Sequence, residues 1–244
     1  MAAKYNRRIY KAAGNSYTGR WTCFLAAFFV ALVFATSSLQ AAPILVPSGL
    51  NPGDTYHLAF VSSTARDSIS ANIADYDAHV QAAANAAAGG LEAITWRAIG
   101  STATVNAIDH IGILGPVYRL DDVLLATSEA DLWDGSIAAQ LNITEAGTLA
   151  TPSFGFGAAV WTGTIPNGLG AGGFQLGVGS GSRAGNFGQT NSLWVSHLSF
   201  SRQGLNPVYA VSTVLTVPIP EPSTLTLLWL GLLGLLAHGH RRRA

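Results

Sequence analysis

Five acids fall close together in "RLDDVLLATSEADLWDG": Asp121, Asp122, Glu129, Asp131 and Asp134. Carboxylate oxygens grouped like this suit a hard cation such as calcium. The D-x-[DN]-x-[DN]-G spacing of an EF-hand loop is missing, however. The competing reading makes them turn residues whose side chains accept backbone N–H bonds. Paired carboxylates also serve glycoside hydrolysis, but nothing in the spacing selects a pair. The expectation is a domain with no catalytic residue, no metal and no cofactor.

Trp96, Trp133, Trp161 and Trp194 raise the second chemical question. Indole faces stack on sugar rings, which would make these residues a carbohydrate platform. They equally serve as core anchors, since one tryptophan buries roughly 200 Å². Trp133, flanked by Asp131 and Asp134 in "DLWDG", is the one expected to be partly exposed, and the three residues are the candidate ligand contacts. Other signals are weaker. "GLGAGG" at 168–173 matches G-x-G-x-x-G, but it lacks the preceding strand and following helix of a dinucleotide site. His57, His79, His110 and His197 are scattered, with no metal-binding pair.

These residues sit in a chain whose charges are segregated. Between Pro43 and Pro218 there are five cations and twelve acids, a net charge of −7, and no lysine. Such a surface repels phosphate backbones, so nucleic acid is not an expected partner. The single cysteine, Cys23, lies outside this stretch, which must hold together by packing alone.

The elements that must position the side chains read as α+β. "DTYHLAFVSS" alternates as a strand with Tyr56, Leu58 and Phe60 on one face. "SISANIADYDAHVQAAANAAAGG" is a helix, capped by Ser70 or Asn72 and stopped at Gly89-Gly90. "ITWRAIG", "GPVYRLDDVLLA" (a hairpin turning at Asp121-Asp122), "AVWTGT", "SLWVSHLSF" and "NPVYAVSTVLTV" read as strands. A turn is expected at Asn167-Gly168 and a long irregular loop from Gly168 to Gly188.

Both ends of the chain read as addresses. Residues 1–42 form a signal peptide with a long basic leader, an apolar run Trp21–Ala35, and cleavage expected between Gln40 and Ala42. An uncleaved N-terminal anchor is the alternative. Residues 43–217 form the exported acidic domain. Residues 218–244 contain Pro220-Glu221-Pro222, an apolar run Leu225–Ala237 and the cluster Arg241, Arg242 and Arg243. As a helix that run spans about 20 Å, short of a bilayer core of about 30 Å, so flanking residues must extend it. The arginines then snorkel to one interface and stay cytoplasmic.

In this order, the three parts of 218–244 resemble the PEP-CTERM sorting signal of Gram-negative bacteria. The resemblance implies export, handling by an exosortase-type processing enzyme, and a setting where exopolysaccharide is made. The membrane, through the C-terminal helix, and extracellular polysaccharide are then the expected partners. The expected location is the cell envelope, with release to the surface or matrix after processing as the alternative.

The central landmarks carry a second resemblance. "ADYDAHV", "GLEAITWRAIG", "PVYRLDDVLL", "DLWDG", "AVWTGTIPNG", "NSLWV" and "PVYAVS" follow one another as in the endostatin-like branch of the C-type-lectin-like fold. That likeness implies one main helix, several short antiparallel strands and a long Gly-rich loop. The cysteines and N-terminal zinc histidines of animal endostatins are missing. So are the "EPN" or "QPD" and "WND" motifs of calcium-dependent lectins.

Overall fold

The computed structural model describes residues 45–87, 89–152 and 157–219. The expected signal peptide, the C-terminal apolar run, the Pro-Glu-Pro motif and the arginine cluster lie outside the described residues.

Strand β1 (Thr55–Val61) organises the larger sheet. On one side it runs parallel to β3 (Val117–Arg119), which turns back into β4 (Leu124–Ala126). On the other it pairs antiparallel with β8 (Tyr209–Ser212) and then with β9 (Leu215–Thr216). The edge strand β2 (Trp96–Ala98) lies antiparallel to β8, giving the order β2-β8-β1-β3-β4. A second, three-stranded antiparallel sheet joins β5 (Ala159–Trp161), β6 (Gly181–Asn186) and β7 (Leu198–Ser201). Its link to the first sheet is a parallel bridge between Trp161 and Val208.

The alternation in β1 places Tyr56, Leu58 and Phe60 on one face, as the sequence predicts, but the opposite face is buried as well. The first face meets α1 (Ile73–Ala87) through Tyr76, Val80 and Ala84, together with Leu91 and Trp96. The second supports Ile111, Leu125, Trp133, Trp194 and Tyr209. Phe60 meets Trp96 edge-to-face with ring centroids 4.7 Å apart. Helix α1 starts where the Asn72 side-chain oxygen accepts the Ala74 N–H, and Gly89 and Gly90, both at positive φ, turn the chain away after it.

The same helix seals the outer edge of β2. Gln81 Oε1 accepts the Trp96 N–H at 2.9 Å, and Asp77 Oδ1 accepts the Ala98 N–H at 2.8 Å. Four residues along a helix rise about 6 Å, close to the roughly 6.6 Å of two residues along a strand, so one helical turn matches two outward N–H groups.

Three sequence expectations need correction. The stretch 168–188 is not wholly irregular, because it contains β6, the central strand of the second sheet. Its glycines hid it: a Cβ on Gly185 would stand 2.0 Å from the Trp194 carbonyl oxygen, so the position needs close backbone approach instead of a side chain. In "SLWVSHLSF" only Leu198–Ser201 is strand, since Ser192–Trp194 winds as a 3-10 turn with the Asn191 side chain accepting the Leu193 N–H. Short helices α2 (Ala107–Ile111) and α3 (Glu129–Leu132) were not expected, being too brief to show a period.

His57, fully buried on β1, ties three elements together. Its Nδ1 lies 2.9 Å from the Ser212 carbonyl oxygen, and its Nε2 accepts the Leu114 N–H at 3.0 Å. Only the neutral ring, protonated at Nδ1, satisfies both. Burial lowers its pKa from the ordinary 6.5, and the Ser212 bond partly opposes that. His79 on α1 is lowered too, first by burial, with the Thr64 carbonyl and Glu145 opposing and Arg66 adding to it.

Two outcomes test this packing. Gly185→Ala should cost about 3 kcal/mol in chemical denaturation through overpacking. Gly172→Ala, where a Cβ meets nothing within 4 Å, should stay within about 0.5 kcal/mol of the parent. For the histidines, the folded rings bind a proton more weakly than the unfolded ones. Their stability is therefore complete above about pH 6.5 and drains away as the pH falls below it. The urea midpoint should drop between about pH 7 and pH 5. His57→Gln, which keeps a donor and an acceptor without a titrating ring, should flatten part of that drop. A midpoint that is level or rising over this range contradicts the assignment.

Candidate functional site

The acidic residues singled out in the sequence do not converge on a ligand. Asp121 forms a two-point pair with Arg119 at 2.8 and 2.5 Å. Asp122, at φ 69°, accepts the Ser48 N–H and holds the β3–β4 turn. Asp131 takes the N–H and hydroxyl of Thr127, and these bonds hold its carboxyl below the usual range. Asp134 takes the N–H and hydroxyl of Ser136. The carboxylates of Asp121, Asp131 and Asp134 bond within their own turns, and that of Asp122 ties its turn to Ser48. Among the described residues, no group of three or more acids, histidines or cysteines is placed to hold a metal ion.

Trp133 is the clearest correction at the level of the site. Instead of being partly exposed it is only 7% accessible. Its ring lies 6.0 Å from that of Trp194, and Gly168 presses so close that a Cβ there would sit 2.9 Å from the indole. With its faces covered in this way, the indole is a core anchor, and Asp131 and Asp134 flank a buried ring. Trp96, Trp161 and Trp194 are fully buried too. Indole N–H groups of the first two donate to backbone carbonyls, Leu91 at 3.0 Å and Arg66 at 2.9 Å.

The structure instead brings together side chains that the sequence kept far apart. Asp77 of α1, Arg97 of β2, and Asn106, Asp109 and His110 at α2 line one open polar cleft. Asp77 Oδ1, already bonded to the Ala98 N–H, lies 2.9 Å from His110 Nε2, which fixes how that imidazole is turned. Arg97 donates to the His110 carbonyl at 2.6 Å, and Asn106 donates to Asp109 at 3.0 Å while accepting the Gly170 N–H. Planar carboxylate, amide and guanidinium groups at the mouth of a cleft are suited to exchanging hydrogen bonds with hydroxyl-rich ligands. Sequence reading missed this set because Asp77 and His110 stand 33 residues apart and meet only when α1 covers β2.

A second cleft, lined by Ser62, Ser63, Thr144, Thr148, Leu149 and Pro207 among others, is chemically quieter. Its hydroxyls are engaged internally. Ser62 donates to the Thr64 carbonyl at 2.7 Å, Ser63 donates to the buried Glu145, and Thr144 shares a 2.9 Å bond with Thr148. His79 Nε2 stands 3.5 Å from the Ser62 hydroxyl, but that proton is already directed at Thr64. No activated nucleophile results.

At the other functional end, the chain leaves the domain along β9. Val217 donates to the Asp54 carbonyl at 2.9 Å and accepts from the Gly53 N–H at 3.0 Å. Pro218 and Ile219 follow on the surface, and the Pro-Glu-Pro motif begins at the next residue. Among the described residues, no helix is long and apolar enough to cross a membrane.

A search of curated proteins finds no match to the chain. Residues 218–243 match the PEP-CTERM protein-sorting motif. The chain thus carries the signal of an exported protein that is recognised and sorted by exosortase.

Proposed function

We propose that the chain is a noncatalytic module of the cell envelope or extracellular matrix, anchored by its C-terminal helix until exosortase acts. Its place is among exopolysaccharide, and it associates with that polymer. One observation carries the reading: the sorting motif begins at Pro218, directly after Val217, which is still bonded into the folded domain. The domain is read as endostatin-like, within the C-type-lectin-like fold. Support comes from the order of landmarks, with α1 preceding the Trp96–Ala98 strand and the acidic hairpin turn following β3. The contact with polymer is assigned to the cleft of Asp77, Arg97, Asn106, Asp109 and His110, because its groups are planar, polar and accessible. A purely structural matrix component is the second reading. It is favoured by the burial of all four domain tryptophans.

Mass spectrometry of the mature protein in cell fractions tests the sorting reading. The expected species is exported, begins near residues 40–42 and is altered at the C-terminus by exosortase. A full-length chain dissolved in the cytosol overturns it. For the cleft, Asp109→Ala and Arg97→Gln should each weaken retention on the host's own extracellular polysaccharide about tenfold while leaving the urea midpoint near the parent value. That loss corresponds to one charge-assisted hydrogen bond of about 1.4 kcal/mol. Retention unchanged in both variants removes the cleft from the account, and no retention of the parent chain favours the structural reading.

A further inference from the structure

We infer that the end of the domain formed by the start of β1, the residues before β3 and the exit of β9 faces the lipid bilayer, with Leu114 and Ile219 at its surface. This rests on the reading of the C-terminal run as a membrane anchor.

Three strand ends meet there. Thr55 pairs with Thr216, and the Thr55 hydroxyl donates to the Leu114 carbonyl at 3.1 Å. The same end holds the Val217 exit bonds to Gly53 and Asp54. Leu114 and Ile219, 69% and 70% exposed, are among the most exposed of the domain's large apolar side chains, with Leu149 at 68% and Leu205 at 59% elsewhere.

Tether length then selects this end over the others. From Pro218 to Thr224, before the apolar run begins, there are seven residues. A seven-residue stretch with proline at 218, 220 and 222 can reach about 22 Å at most, at roughly 3.1 Å per residue in the extended form that proline favours. The run Leu225–Ala237 falls about 10 Å short of the hydrocarbon core, so residues on its flanks are drawn in and the tether shortens further. The headgroup layer takes about another 5 Å or more. What remains is less than the roughly 40 Å breadth of a domain this size. The far end of β1 cannot take the same place. There Leu205, 59% exposed, neighbours the Asn206–Arg66 bridge, about 20 Å along β1 from Thr55. Apolar exposure exists at both ends, and the point of attachment decides between them. With no lysine in the domain and Asp54 beside the exit, the apposed lipid is zwitterionic rather than anionic.

The test uses the exported chain from Pro43 onward, which has no cysteine of its own, in phosphatidylcholine vesicles, with a fluorophore at Leu114→Cys or at Leu205→Cys and nitroxide-labelled lipid as quencher. The label at 114 should be quenched at least several-fold more than the label at 205. Equal quenching, or stronger quenching at 205, in a chain that sediments with the vesicles overturns the inference while leaving the anchor intact. A chain that does not sediment with vesicles overturns the anchor reading and this orientation together. As a check on folding, both labelled variants should keep the parent's urea midpoint, as expected for substitutions at exposed leucines.

Discussion

Strand β1 is buried on both faces and bonded along both edges, and the domain is assembled around that constraint. A strand with no solvent face needs two separate apolar layers. The chain supplies α1 with Leu91 and Trp96 on one side, and Trp133, Trp194 and Tyr209 on the other. Burial also dictates the chemistry of its histidine. His57 survives there only as a neutral ring with a donor and an acceptor both matched. Since the chain's single cysteine, Cys23, falls outside the domain, this double layer does the work that disulfides do in many exported domains of modest size.

The aromatic and acidic residues that look most chemical in the sequence turn out to be architectural. Tryptophans fill the two layers, and the aspartates of the 121–134 stretch close turns. The polar cleft arises as a by-product of closing the sheet edge. Asp77 reaches β2 to satisfy a backbone N–H, and the same oxygen then orients His110 from α2. Support of the strand edge and shaping of the cleft thus share one carboxylate. Asp109, bonded only to a neighbouring asparagine side chain, is freer to meet a ligand.

Local signals made α1, β1 and the β3–β4 hairpin legible in the sequence: a helical period with a cap and paired glycines, strict alternation, and two aspartates at a turn. The sorting tail was legible for a different reason, since its parts are contiguous and ordered. Strand β6 was not, because Gly185 answers to the Trp194 backbone and Gly181 to that of Phe200, contacts that no local pattern encodes. The cleft was illegible for a related reason. Its members come from three elements, and none differs in type from an ordinary surface residue. The burial of Trp133 depends on Gly168 and Trp194, neither adjacent to it in the chain.

The matching of one helical turn to two strand residues at the β2 border also governs how the domain can meet other chains. An unguarded strand there would offer its N–H groups to any neighbouring chain in extended form, including another copy, and so begin a cross-β stack. Gln81 and Asp77 occupy those groups from within, which blocks polymerisation at this border while the domain stays folded. Protection of this edge is thus a property of helix pitch, independent of net charge.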